Sequence, residues 1–383
     1  MEENYIIVGA DFAPINRDGE KIIQNRQQDI LEDSLADIIK RASLSVFNME
    51  APIKTDSMKP IKKDGPNLFI LPGAERIYED LQVGVLSLAN NHIMDYGENG
   101  LCYTIECLNK RNIAYIGAGK NKQQADFSAI KEVAGKKIGI YAAAEHEFSL
   151  AEENKAGANG FEEPRIVEAI CRLKEKCDYL IMLYHGGREL YRYPSVEQQK
   201  ICRRLAEAGA DLIVCQHSHC IGAYETYKGS SIFYGQGNFL FGDAEHEVCI
   251  NSILLKIPVE RDKIGVPKII PIKREREKVI LLTGEEKEKV RNLFEKLSED
   301  IKKPEFVEKN YKKLADEAIA AYLYQFAGWP LFFIRLDKLF GRRMIKSFFR
   351  RNEKRLLYLQ NILQCEAHRE IVLEGLKGLR RDK

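Results

Sequence analysis

Through its first two thirds the chain alternates short apolar runs with amphipathic helical stretches, and few architectures accommodate that rhythm. Residues 5–8, 44–47, 83–86, 114–116, 179–183 and 212–215 are rich in β-branched, aliphatic or aromatic side chains and flanked by polar segments. Runs of this length and composition predict buried strands. Between them Leu31, Leu35, Ile38 and Ile39 recur at helical spacing, as do Ile166, Ile170 and Leu173, and then Ile201 and Leu205,. Such alternation implies a layered α/β core. From about residue 223 the rhythm changes. Residues 223–227, 231–234, 248–257 and 264–272 read as strands joined by short turns such as Lys228-Gly229, and antiparallel ribbons of this kind extend or close a sheet,. Beyond residue 283 only helical patterns follow. The sequence thus predicts a core domain over residues 1–280 and an all-α appendage over residues 281–383.

A length of 383 residues suits such a division, and 45% apolar with 30% charged residues is ordinary for a globular chain,. The formal charge of +2 gives no reason to expect a nucleic-acid partner,. The nine cysteines are scattered, with no CxxC pair, so a reducing cytoplasm is the simpler setting,. The start, Met-Glu-Glu-Asn-Tyr-Ile-Ile-Val, lacks the basic and apolar regions of a signal peptide,. No apolar run approaches the length of about 18 residues expected of a membrane span. The expected location is cytoplasmic, with a peripheral position at the inner membrane face as the alternative.

Polar residues able to bind metal stand just past the predicted strands. Asp11 follows the first and Glu50 the second; Asn91 and His92 follow the third. His185 and the pair His217 and His219 follow two later strands. In open α/β sheets ligands bind at the carboxyl ends of strands. Taken singly each residue has a plainer reading: Asp11 as a turn residue, Glu50 as a solvated carboxylate, His185 before Gly186-Gly187 as part of a capped turn. The His-x-His stretch is the sharpest signal, because alternate residues of an extended chain face one way. Two carboxylates, an amide and three imidazoles, with no thiolate, suit Mn, Fe or Zn. The set exceeds what one tetrahedral ion needs. It fits two divalent ions about 3.5–4 Å apart that share a carboxylate and act on a phosphoryl centre. His92 is then left as an acid or a phosphate-binding donor.

The stretch Asn90-Asn91-His92-x-x-Asp95-x-Gly97-x-x-Gly100-Leu101 resembles the NNHxxDxGxxGL signature of the capsule-synthesis CapA family. Those are poly-γ-glutamate synthesis accessory proteins with a calcineurin-like metallophosphoesterase fold. His185-x-Gly187-x-Glu189 is similar to the family's HxGxE, His217-Ser218-His219 to its HxH, and Tyr234-Gly235-x-Gly237-Asn238-Phe239 to part of its closing hairpin. Gly9-Ala10-Asp11 and Asn48-Met49-Glu50-Ala51-Pro52 correspond to its GD and NLEXP elements, and the ordered set covers roughly residues 5–275. The resemblance implies a four-layer sandwich of two mixed sheets flanked by helices. It implies Asp11, Glu50, Asn91, His185, His217 and His219 as metal ligands, with Glu50 bridging, and His92 as the catalytic histidine oriented by Asp95. Glu189 and Asn238 would contact substrate or hold a ligand histidine. Three departures stand out. Ala10 interrupts the GD element. Ala13 occupies the place where the superfamily puts a second-ligand histidine, so the first metal site is expected to use fewer donors. Cys215-Gln216 replaces the usual glycine before the HxH.

The expected function is a metal-dependent hydrolase acting on a phosphoester, in capsule or surface-polymer synthesis and in contact with a polymer synthase. The alternative is a non-catalytic metal protein that binds or organises an acidic polymer. A third reading keeps the enzyme but moves it to an amide or a phosphoanhydride. In the appendage, residues 331–383 carry fourteen Lys/Arg against six Asp/Glu, and residues 341–351 interleave cations with apolar residues. A helical bundle with a basic solvated face accounts for this pattern; a helix lying weakly on a membrane surface is the alternative.

Overall fold

A computed structural model of the chain describes residues 3–242 and 246–381. It separates into two compact units, Met1–Glu308 and Lys309–Lys383.

The first unit is built on two mixed sheets. In one, the strands run in the order Lys278–Leu281, Lys268–Glu275, Asn251–Pro258, Tyr5–Phe12, Leu44–Asn48, Val85–Ser87, Ala114–Ile116, and Asn238–Leu240 pairs beside the end of Tyr5–Phe12. The other runs Tyr224–Tyr227, Ser230–Phe233, Leu212–Gln216, Tyr179–His185, Lys136–Ala144, Ala129–Val133. The central pairs of both sheets are parallel; antiparallel strands flank them on both sides of the second sheet and on one side of the first, whose other edge is the parallel strand Ala114–Ile116.

Side-chain alternation assigns the layers. Along Tyr179–His185, Ile181 and Leu183 join the core shared with the first sheet, whereas Leu180, Met182 and Tyr184 join a second core. Helices Glu163–Lys174 and Val196–Glu207 close that second core with Ile166, Ile170, Cys202 and Leu205. Leu35 and Ile39 of Asp33–Lys40 and Leu101 and Leu108 of Gly97–Lys110 pack with the first sheet. The result is helices, sheet, sheet, helices, the four-layer α/β sandwich expected from the sequence.

Local differences have physical causes. The nine-residue strand Lys136–Ala144 does not stand out in the sequence, because Gly139 and three alanines dilute its β signal,. Gly139 is needed there: a Cβ would lie 2.7 Å from Cys177 Sγ. The hairpin into this strand turns on Ala134 and Gly135, both at positive φ, as a tight turn matched to strand twist requires,. The predicted strand over 248–257 starts later, since Glu247–Cys249 forms a short 3₁₀ turn before Asn251.

The change from strand to helix falls between Leu281 and Gly284, but the compact unit continues to Glu308 rather than stopping at residue 280. Helix Gly284–Asp300 is the reason. Val290 and Phe294 join the first core, Leu297, Ile301 and Val307 join the second, and Ser298 Oγ accepts from Tyr224 N at 3.1 Å.

The second unit is helical, with Leu331–Leu339, Arg343–Arg350, Glu353–Gln364 and Glu366–Arg381 following the long helix that ends at Ala327. Its own core is small: Ala320, Leu323, Tyr324, Ile345 and Phe349. Asp337 is buried and accepts from Tyr324 Oη at 3.1 Å and from the backbone N–H groups of Met344 and Ile345 at 2.8 and 2.9 Å. It thereby satisfies the otherwise unpaired donors at the start of Arg343–Arg350. Among the described residues no helix is long and apolar enough to cross a membrane.

Candidate metal centre

The parallel strands of both sheets deliver their ends to one place. The register of Tyr5–Phe12 on Leu44–Asn48 pairs Val8 with Val46 and then Asp11 with Asn48. Three residues on one strand thus span two on the other, so the extra residue is absorbed as a β-bulge. That bulge is how the chain accommodates Ala10 and still sets Asp11 beside the second strand. The Gly9 carbonyl within it accepts from Gln216 Nε2 of the other sheet at 3.3 Å. Gly9 itself has no alternative, because a Cβ there would sit 1.9 Å from Phe47 Cε1.

His217 and His219 follow the strand Leu212–Gln216, but not as extended chain. Their φ values are 86° and 53°, both left-handed. The expectation that an extended His-x-His places both rings on one face is therefore corrected: a turn brings them together. Left-handed backbone at a side chain as large as histidine costs on the order of 1–3 kcal/mol.

Two groups of donors meet at Glu50. Glu50, His185 and His217 form one, and Asp11, Glu50 and His219 the other; within each group the potential ligand atoms lie within 4.8 Å of one another. His185 Nε2 is 3.4 Å from Glu50 Oε1, 3.2 Å from His217 Nδ1 and 3.0 Å from Asn91 Oδ1, which adds Asn91 to the first group. His219 Nδ1 is 3.2 Å from Asp11 Oδ2 and 2.8 Å from Asn238 Oδ1, and its Nε2 is 3.7 Å from Glu50 Oε1. All six sequence-predicted ligands converge. Asn238 touches His219, and Glu189 stands at the edge, its Oε1 4.0 Å from His217 Nε2.

These residues suit divalent cations. Asp11 Oδ2 and Glu50 Oε1 are buried and accept no hydrogen bond, and an unsatisfied buried carboxylate oxygen is costly unless a cation meets it. The donors are hard oxygens and imidazole nitrogens, with no thiolate among them, as Mn, Fe or Zn would ask.

The electrostatics differ around the cluster. Burial pushes the Glu50 carboxyl well above the usual range, and the neighbouring Asp11 charge adds to this. Burial also acts to raise Asp11, but the neighbouring His219, its Nδ1 3.2 Å from Asp11 Oδ2, holds it down at about 2. His219 is raised in turn: burial opposes its charge, and Asp11 outweighs burial. Burial, helped by the neighbouring imidazoles, drives His185 well below the histidine range and His217 down to about 4. Those two rings stand in the neutral form that binds metal.

His92 lies beside this cluster. Its Nδ1 is 2.7 Å from Asp95 Oδ2, which also accepts from Leu68 N at 2.6 Å. Lys63 Nζ lies 3.1 Å from the same ring nitrogen and pairs with Asp95 Oδ1. With Nδ1–H donating to Asp95, the lysine serves the carboxylate, and Nε2 remains the ring's free nitrogen.

Several residues of the centre escape sequence reasoning. Asn48 Nδ2 lies 2.8 Å from Asp11 Oδ1, 3.3 Å from Glu50 Oε2 and 3.3 Å from His185 Nδ1, so one buried amide ties three ligands together. Asn90 Nδ2 in turn donates to Asn48 Oδ1 at 3.1 Å. Glu145 and Glu147 approach His217 Nε2 at 3.7 and 3.9 Å. Burial lifts the Glu145 carboxyl to about 7. Of these, Asn48 carries a usable signal, since it closes a strand two residues before Glu50.

A model of the family described as bacterial capsule synthesis protein PGA_cap matches residues 10–243. The PGA biosynthesis protein CapA of Bacillus subtilis (strain 168) is 26% identical over 259 residues, covering 66% of this chain and 67% of that protein. The capsule biosynthesis protein CapA of Bacillus anthracis is 24% identical over 266 residues, covering 67% of this chain and 64% of that protein. The chain thus spans about two thirds of the length of these relatives. Among solved structures, a 5'-nucleotidase precursor from Thermus thermophilus aligns over 73% of this chain and 54% of its own, with 14% identity and a TM-score of 0.44.

Proposed function

The chain belongs to the bacterial capsule synthesis protein family, and on that premise we propose that it is a metal-dependent hydrolase of phosphoester type that serves capsule or poly-glutamate production. The observation that carries this reading is the shared position of Glu50, a buried carboxylate common to two donor groups. Glu50, Asn91, His185 and His217 would hold one divalent ion. Asp11, Glu50 and His219 would hold the other with one donor fewer. When bound, such a pair supplies Lewis acidity and lowers the pKa of water at the site.

The protein's own groups do the rest. Asn48 fixes Asp11, Glu50 and His185 relative to one another. Asn238 holds Nδ1 of His219, which leaves Nε2 toward Glu50,. Asp95 holds His92 by its Nδ1–H; when Nε2 carries a proton as well, the imidazolium can give that proton to a leaving oxygen or donate it to a bound phosphate,. Glu189 is half exposed beside His217 and would meet the substrate there. The names of the relatives, PGA biosynthesis protein and capsule biosynthesis protein, support a setting at a polymer synthase.

The shorter donor set around Asp11 favours a second reading, a metal protein that binds an acidic polymer without turning it over. Against it, Glu145, Glu147 and Glu189 ring His217 with carboxylates that repel a polyanion,. The deciding experiment measures Mn, Fe and Zn in the purified protein and hydrolysis of bis-p-nitrophenyl phosphate with and without Mn²⁺, beside His92→Ala. Metal-dependent turnover that falls about a hundredfold or more in the variant supports the hydrolase. A metal-replete protein with no turnover, indistinguishable from His92→Ala, removes it, and polymer binding that is lost on chelation would then establish the second reading.

A further inference from the structure

We propose that the helical unit docks on an anionic phospholipid surface through helices Leu331–Leu339 and Arg343–Arg350. This inference is independent of the hydrolase reading, and either can fail alone.

The first observation is exposure. Phe332 is 70% exposed, Leu339 83% and Phe340 59%, and Leu331 is 71% exposed. In the first unit, the large hydrophobics exposed among the described residues are Ile23, Phe127, Ile130, Phe148, Leu190 and Val266, scattered over some 250 positions of chain. Scattered apolar residues are normal on a protein surface; a contiguous set marks a face that something covers.

The second observation is charge. Residues 329–351 hold seven Lys/Arg and one acid, Asp337. That acid is buried and spent on Tyr324 and the backbone of Met344 and Ile345. The outward charge of the segment is therefore wholly positive, and among the described residues none of the seven cations forms an ion pair.

The third is shape. An open groove of about 1230 Å³ runs between the two helices, lined by Trp329, Leu336, Leu339, Phe340, Met344 and Phe348, with Arg343 and Arg351 also contributing to its wall. An apolar floor with guanidinium groups beside it matches an acyl region below a phosphate headgroup. Trp and Phe interleaved with Arg is the composition of elements that lie in a membrane interface.

Charge also selects among occupants. A second copy of this chain would set seven cations against seven, with no exposed acid on either segment to relieve them. A bilayer rich in phosphatidylglycerol supplies both the negative surface and the apolar layer. No helix among the described residues is built to span, so the unit would lie on the surface.

The test floats the full-length protein with vesicles of phosphatidylcholine alone and of phosphatidylcholine with phosphatidylglycerol. Binding is expected only to the anionic vesicles and should disappear in high salt. Arg343→Glu with Arg351→Glu should weaken binding about tenfold or more, at roughly 1 kcal/mol per cation near such a surface. Phe332→Ser with Leu339→Ser, on exposed positions that leave the small core intact, should weaken it independently. Absence of flotation with anionic vesicles overturns the proposal. So does binding that ignores lipid charge or survives both double substitutions with unchanged affinity. A dimer that forms in solution and is broken by Phe332→Ser with Leu339→Ser also overturns it, because the face would then belong to a second copy.

Discussion

On one side of Glu50 stand His185, His217 and Asn91; on the other stand Asp11 and His219. The imidazoles of the first side are already neutral, driven there by burial and by each other. A cation arriving there displaces no proton from them. On the second side His219 lowers the Asp11 pKa and Asp11 raises that of His219, so a cation there competes with a more tightly held proton on His219. The second side also has fewer donors. Equal proximity to a shared carboxylate therefore does not mean equal affinity: the His185 side should fill first and empty last.

The most severe way to break this comparison is to remove what the two sides share. Glu50→Gln keeps the shape and removes the anion, and both ions should be lost, as metal analysis of the purified variant would show. The same substitution removes a buried ionisable group, so the melting temperature of the metal-free protein should stay level or rise. Next in size, His185→Ala should abolish the tighter site and His219→Ala the weaker one. Metal titrations followed by calorimetry should show the high-affinity phase vanish in the first variant and survive in the second. If both lose the same phase, the sites are not ranked as described. A smaller effect is expected from Asn238→Ala, which frees Nδ1 of His219. Affinity of the weaker site should fall by about 10–100-fold, with the tighter site unmoved.

The smallest effect concerns pH. Glu50 and Glu145 have raised pKa values, Glu145 to about 7, with burial as the leading cause in both. A carboxyl whose pKa is raised by folding binds its proton more tightly in the native state. Its stabilising effect is full below the ordinary glutamate range and is lost as pH rises toward the folded value. His185 and His217, held neutral in the fold, slope the other way over part of this range, so the readout is a difference: relative to Glu145→Gln, the metal-free parent should lose melting temperature as pH climbs to about 7,. Added Mn²⁺ should oppose it, since a cation replaces the proton on Glu50.

The residues that the sequence reveals and those it hides differ for physical reasons. Asp11, Glu50, Asn91, His185, His217 and His219 are visible because each follows an apolar run, where the chain leaves a buried strand and a ligand-capable side chain has no packing role. Asn48 is visible as the amide that closes a strand two residues before Glu50, but only the third dimension shows three ligands around it. Lys63 is hidden more deeply: it sits in a loop beside Lys59 and Lys62, and no spacing distinguishes it from them. Glu145 and Glu147 follow a strand whose glycine and alanines mask it. A layered α/β core was readable from periodicity and its four layers from the family resemblance, whereas the place of helix Gly284–Asp300 was not readable, because amphipathicity says that a face is buried without saying against what.

The bulge at Gly9 and Ala10 couples the two sheets in a testable way. Its carbonyl is met by Gln216, so two oddities far apart in sequence are partners in space. Replacing Gln216 by glycine alone would strand a buried carbonyl, at a cost of about 1–3 kcal/mol. Removing Ala10 alone would draw the acceptor away from a buried amide. Making both changes together should cost less than the sum. Either change made singly should disturb the strand that positions Asp11.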